Sequence, residues 1–166
     1  MSTTATMELD NLRSRLPDPS QFVPEVAEIA GAMFKATLNG SIPQTTMSLM
    51  HLRAGQIVRS TYHAIRATGD LRKAGETDER ITAVETWRDA PYFTEAERLA
   101  LELVEAVLTS NPFGERVPDD LYARATAHYD EKALWTLVVA IGQICFFIPV
   151  ALIAKPIPGR EPHYST

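Results

Sequence analysis

Residues 133–154 read ALWTLVVAIGQICFFIPVALIA: 22 residues without a charge, of which only Thr136 and Gln143 are strongly polar. A run of that length can cross a bilayer, so its reading decides between a membrane protein and a soluble helical one. Gly142 and Pro149 interrupt it, and no basic cluster follows beyond Lys155 and Arg160. The rest of the chain reads as amphipathic helices that need something apolar to lie against. A helix that is hydrophobic all round is buried somewhere, so the expectation is a central or subunit-facing helix, with no membrane as partner.

Working outward, the neighbouring segments also read as helices. Asp130 can cap the apolar run, Pro118 opens a short helix to about His128, and Asn111-Pro112-Phe113-Gly114 is a turn. Thr94 with Glu97 has the spacing of a capping box and starts a helix to about Thr109, while Thr77 caps another through Arg88. Pro43 to about Lys73 carries helical periodicity throughout, as one helix or as two meeting near Val58, and Gly75 ends it. A first helix runs from about Pro24 to Leu38, with Asn39-Gly40 as a left-handed stop. No alternating run argues for a strand. The expected class is all-α: a single domain of about six or seven helices over 21–159, an irregular arm over 1–20, and a tail over 160–166 that holds His163.

Composition narrows the function. A chain of 166 residues has room for one core. A net charge of −5 with scattered Lys and Arg gives no basic field for nucleic acid. The lone Cys145 allows neither an internal disulfide nor a two-cysteine metal site, and a start without a basic, apolar leader points to the cytoplasm. No His-x-x-x-His pair and no glycine-rich phosphate loop occurs, so neither a metal nor another cofactor is expected.

Several fragments then carry a resemblance. They are Leu52-Arg53 with Gln56-Ile57; Arg72 to Thr77; Trp87 to Phe93 with Glu95 to Arg98; Val117-Pro118-Asp119 with Tyr122; and His128-Tyr129. In order and spacing, Ser48 to Gly159 resembles the carboxymuconolactone decarboxylase and alkylhydroperoxidase D family. The resemblance implies an all-helical fold and a homo-oligomer, whether dimer, trimer or hexamer. The family's redox motif is Glu, eleven residues, Cys-x-x-Cys, three residues, His; here it falls on Ser48, Ser60, His63 and Ala67, and all four differ. One thiolate attacks peroxide and the second resolves the sulfenic acid, work that a serine hydroxyl cannot do. Two-cysteine peroxidase activity is therefore excluded.

At 100° per residue, Ser60, His63, Ala67 and Leu71 lie within about 60° on one inward face, with Val58, Tyr62, Ile65 and Gly69 opposite and Arg59, Arg66 and Asp70 toward solvent. The leading expectation is a non-redox acid–base enzyme of the isomerase, lyase or cyclase type, acting on a small organic substrate. His63 would be its acid or base, Ser60 and Ser48 would position an oxygen or proton, and His51, Arg53, Tyr62 and Ala67 would line the substrate site, with His51 as proton donor and Arg53 as anion anchor. The alternative is a non-catalytic binding or assembly protein with a decayed site, in which His63 is a satisfied core histidine. A third is a one-cysteine peroxidase at Cys145, although a core thiol is expected there. Trp135, Phe146, Phe147 and Ile148 could line a pocket or fill a core.

Overall fold

The computed structural model describes residues 12–160. Most of the expected arm and tail, with His163, lies outside the described residues. Among those described there are seven α-helices and no strand: α1 (Glu25–Thr37), α2 (Gln44–Ile57), α3 (Thr61–Lys73), α4 (Asp78–Thr82), α5 (Glu95–Leu108), α6 (Asp119–His128) and α7 (Glu131–Pro149). A single 3-10 turn, Pro19–Gln21, precedes α1, another, Ala83–Thr86, continues α4, and a π-turn, Val150–Ala154, follows α7.

Local chemistry sets most of these ends. Thr94 and Glu97 form the capping box in full, Thr77 accepts from the Arg80 amide, and Asp130 accepts from the Ala133 amide at 2.8 Å. The segment after Thr77 departs from expectation: its α-helix stops at Thr82 and tightens into the 3-10 turn before reaching Arg88. The run from Pro43 to Lys73 is two helices. α2 closes with Arg59 in the left-handed region (φ 55), the Ser60 amide donating to the Gly55 carbonyl at 2.8 Å and the Arg59 amide to Gln56. α3 closes the same way on Gly75 (φ 86), with the Glu76 amide on the Leu71 carbonyl.

α2 lies at the centre. It buries residues around its whole circumference and feeds two apolar clusters. Met47, Met50 and Ala54 pack with Leu99, Val104, Leu137 and Ile144; Leu49 and Leu52 pack with Leu71, Val84, Trp87, Phe93 and Leu101. The second cluster is tied down by Glu105, whose carboxylate receives Arg53 Nε at 2.6 Å, Trp87 Nε1 at 2.9 Å, and Arg88. Burial opposes ionisation of Glu105, but these three donors outweigh it and hold its pKa below the ordinary value.

α7 is buried on one side only. Thr136, Leu137, Ala140, Gln143 and Ile144 face inward, whereas Trp135 (69% exposed), Val138, Gly142, Cys145 and Pro149 run along the outer side at spacings of three and four. Glu131–Ala154 is long and apolar enough to cross a membrane by length and composition, yet a third of its most apolar window is buried in the fold. Two sequence readings are thereby corrected. Trp135 stands exposed on the outer side of α7, filling no core, and Cys145 is exposed instead of being a core thiol.

Candidate functional site

The turn between α2 and α3 builds the site. Ser60 ends the α2 closure through its amide and also caps α3, its Oγ accepting from the His63 amide at 3.4 Å. The same Oγ sits 2.9 Å from His63 Nδ1. His63 is 5% exposed, and Gly55 on α2 approaches it so closely that a Cβ there would lie 2.8 Å from the His63 Cβ. Glycine is needed at position 55 because the two helix backbones meet there.

His63 forms part of the wall of a cavity of about 130 Å³ at the seam of α1, α2, α3 and α7. α2 contributes Gln44, Met47, Ser48 and His51, a helical spacing that puts all four on one face. α3 contributes Tyr62, His63, Arg66, Ala67 and Asp70; α1 adds Phe34, and α7 adds Gln143 and Phe147.

Chemically, the cavity holds two imidazoles. His51 Nδ1 lies 2.7 Å from the Met47 carbonyl oxygen. A carbonyl can only accept, so Nδ1 carries the proton and the remaining nitrogen, Nε2, is left with a lone pair. Burial, the nearby His51 and the charge of Arg66 push the His63 pKa down to about 4. Burial and Arg66 also lower His51, against the Met47 hydrogen bond and Asp70. Both rings are neutral near pH 7. Arg66 donates to the Tyr62 hydroxyl at 2.9 Å. Gln143 is 2% exposed, and its Nε2 has no hydrogen-bond partner.

Of the residues expected from sequence, Ser48, His51, Tyr62, His63 and Ala67 share this cavity. Ser60 supports it from behind, through His63. Arg53 does not belong to it: its guanidinium pairs with Glu105 and also reaches Gln56 and the Glu85 carbonyl. Tyr62, expected on the face opposite His63, is instead buried beside it and in edge contact with its ring at 5.8 Å between centroids, because α3 buries a wide arc that takes in both consecutive residues, about 100° apart. Arg66 and Asp70 are exposed as expected but form the cavity rim. His51, cast as a proton donor, presents an acceptor instead. Phe146 lines a separate groove near the chain's ends, and Ile148 packs on the first apolar cluster. His128 ends α6, away from the cavity. Gln143, Gln44, Phe34 and Met47 were missed, although Gln143 had a visible signal as a lone amide in an apolar run.

The fold and this cavity define an all-α protein whose site lies between helices of one domain. The sequence profile described as the Carboxymuconolactone decarboxylase family matches residues 24–106. YdfG of Bacillus subtilis, an uncharacterised protein, is 38% identical over 124 residues, covering 75% of this chain and 83% of that protein. The uncharacterised YnjA of Escherichia coli is 41% identical over 70 residues, 42% of this chain and 36% of YnjA. The chain belongs to the carboxymuconolactone decarboxylase family. Among solved structures, a protein of unknown function from Agrobacterium tumefaciens, named as an AhpD candidate in antioxidant defence, superposes with a TM-score of 0.77 at 24% identity over 90% of this chain and 100% of the other. A cysteine-to-alanine variant of the debrominase Bmp8, bound to 2,3,4-tribromopyrrole, superposes at 0.70 with 17% identity over 86% and 74%. Both share the all-helical fold.

Proposed function

We propose that this chain is a non-redox enzyme of the isomerase, lyase or cyclase kind that moves a proton on a small organic substrate held in the α1–α2–α3–α7 cavity. The observation that carries the reading is the pair of neutral imidazoles in one cavity, His51 with its tautomer fixed by Met47 and His63 held by Ser60. His51 Nε2 takes the proton from one substrate atom and returns it to another, while the neutral His63 ring donates a hydrogen bond to the substrate oxygen where charge develops and Ser48 orients that oxygen. Lowered pKa values keep both rings unprotonated near neutral pH, at a cost in basicity, which suits substrates with acidic protons. An open cavity walled by His63 supports this over a collapsed site. The debrominase neighbour, crystallised with a small halogenated ring, is a precedent for non-peroxidase chemistry on this fold.

Proton exchange tests the reading before the full reaction is known. Small cyclic 1,3-diketones, whose α-protons between two carbonyls are acidic, incubated with the protein in deuterium oxide should exchange those protons faster than in buffer, by proton NMR. His51→Gln and His63→Gln should each cut that rate about a hundredfold, the scale of one positioned acid or base. Exchange at the buffer rate for every compound, or exchange untouched by both variants, refutes it.

Ala67 favours a second reading, a binding or assembly protein, because it can neither transfer protons nor polarise a substrate. We further propose that copies of the chain associate through the outer side of α7, which is apolar and exposed at Trp135, Val138 and Cys145.

A further inference from the structure

The polar groups of the cavity ask for a particular kind of molecule, an inference that rests on reading this cavity as the ligand site. His51 Nε2 can only accept, since Nδ1–H is spent on the Met47 carbonyl. The Asp70 carboxylate at the rim also accepts. Arg66, at the same rim, already donates to the Tyr62 hydroxyl. Gln143 is the opposite case. Its Nε2 is buried without a partner, and an amide left so costs the fold stability that a ligand acceptor would restore. It also stands midway along α7, where an aliphatic side chain would serve the core better.

Between these groups the walls are apolar and partly aromatic: Phe34, Met47 and Phe147. The volume of about 130 Å³ is close to that of an apolar protein cavity of roughly 150 Å³ that accepts benzene. We propose that the cavity binds a benzene-sized ring bearing a neutral hydroxyl, whose O–H donates to His51 Nε2 while an oxygen on the ring accepts from Gln143 Nε2. A hydroxyl suits because it both donates and accepts. A ring carboxylate could meet the Arg66 guanidinium at the rim, but it would leave the His51 lone pair without a donor, so it serves as the comparison anion. A bare hydrocarbon would leave Gln143 as it is.

The test titrates the nitrogen-15-labelled full chain with phenol, toluene and benzoate, following backbone amide shifts around the cavity. Phenol is expected to bind about tenfold more tightly than either comparison compound, the scale of a buried hydrogen bond. Gln143→Leu should lose about tenfold in phenol affinity, keep its affinity for toluene, and melt a few degrees higher because the orphaned amide is gone. Gln143→Met, which keeps the side chain's length, is the second variant should leucine fail to fold. Toluene or benzoate binding as tightly as phenol, or phenol affinity unchanged in the folded variant, overturns the assignment of ligand class while leaving the cavity as the site. No cavity shift with any of the three compounds overturns the class and also removes the support for this cavity as the site of proton transfer.

Discussion

Replacing Gly55 with alanine probes the contact on which the site depends. In an ordinary helix interior the change is favourable, by roughly 0.5–1 kcal/mol, because alanine loses less conformational freedom on folding. In α2 the new Cβ would lie 2.8 Å from the His63 Cβ and 2.9 Å from the Ala64 amide nitrogen. Carbon atoms pack best at roughly 3.5–4.0 Å, so α3 must retreat by most of an ångström. Neither obstacle is the free end of a side chain, and overpacking of this kind costs about 1–3 kcal/mol. The net expectation is a loss of about 1–2 kcal/mol, or a melting temperature about 2–8 °C lower for a chain of this size. Gly69, on α3, is the internal control. A Cβ there meets nothing within 4 Å, so Gly69→Ala should stabilise the protein. Urea denaturation of the two variants beside the parent, followed by circular dichroism, compares the signs directly. If Gly55→Ala is stabilising like Gly69→Ala, α2 and α3 do not approach as described and the placement of His63 is wrong.

Acidification should reveal the neutral histidines. A group whose folded pKa is depressed contributes stability above its unfolded value and loses it as pH falls, so His63 should destabilise the fold between about pH 6.5 and pH 4, by at most about 3 kcal/mol at about 1.4 kcal/mol per unit. His63→Gln should flatten that part of a stability–pH curve measured by denaturant unfolding; an unchanged slope counts against the burial. Glu105→Ala leaves Arg53 and Trp87 without their acceptor and should cost about 2–3 kcal/mol, read in the same assay, whereas a loss below about 0.5 kcal/mol would make this partly buried hub irrelevant. Trp135→Glu with Val138→Glu should lower the solution mass measured by light scattering, and a parent that is already monomeric refutes the α7 interface. Cys145, outside the cavity in its own apolar groove, should support no peroxide consumption; turnover abolished by Cys145→Ser would revive the one-cysteine alternative.

The ends of α2 and α3 show how far sequence reading reaches. Both helices close with the same pair of amide-to-carbonyl bonds, but only one closure was legible, because Gly75 is the residue that takes a positive φ without strain. Arg59 takes the same conformation at the end of α2, and nothing about arginine announces it. The choice between one helix and two therefore stayed open. Arg53 shows the opposite failure. Its type suggested an anion anchor, and only the folding of α5 against α2 brings Glu105 within reach of it.

The sequence by itself determined the all-helical class, the helix starts at Thr77, Thr94 and Asp130, and the loss of the thiol pair, since caps, periodicity and the identity of aligned residues are local properties of the chain. Tertiary structure alone decided which polar groups share a cavity. His51, His63 and Gln143 come from three helices, and their meeting depends on the bare Cα of Gly55, which lets α3 lie against α2, and on one face of α7 turning inward. The tautomer of His51 was likewise out of reach of the sequence, because it follows from which nitrogen meets the Met47 carbonyl.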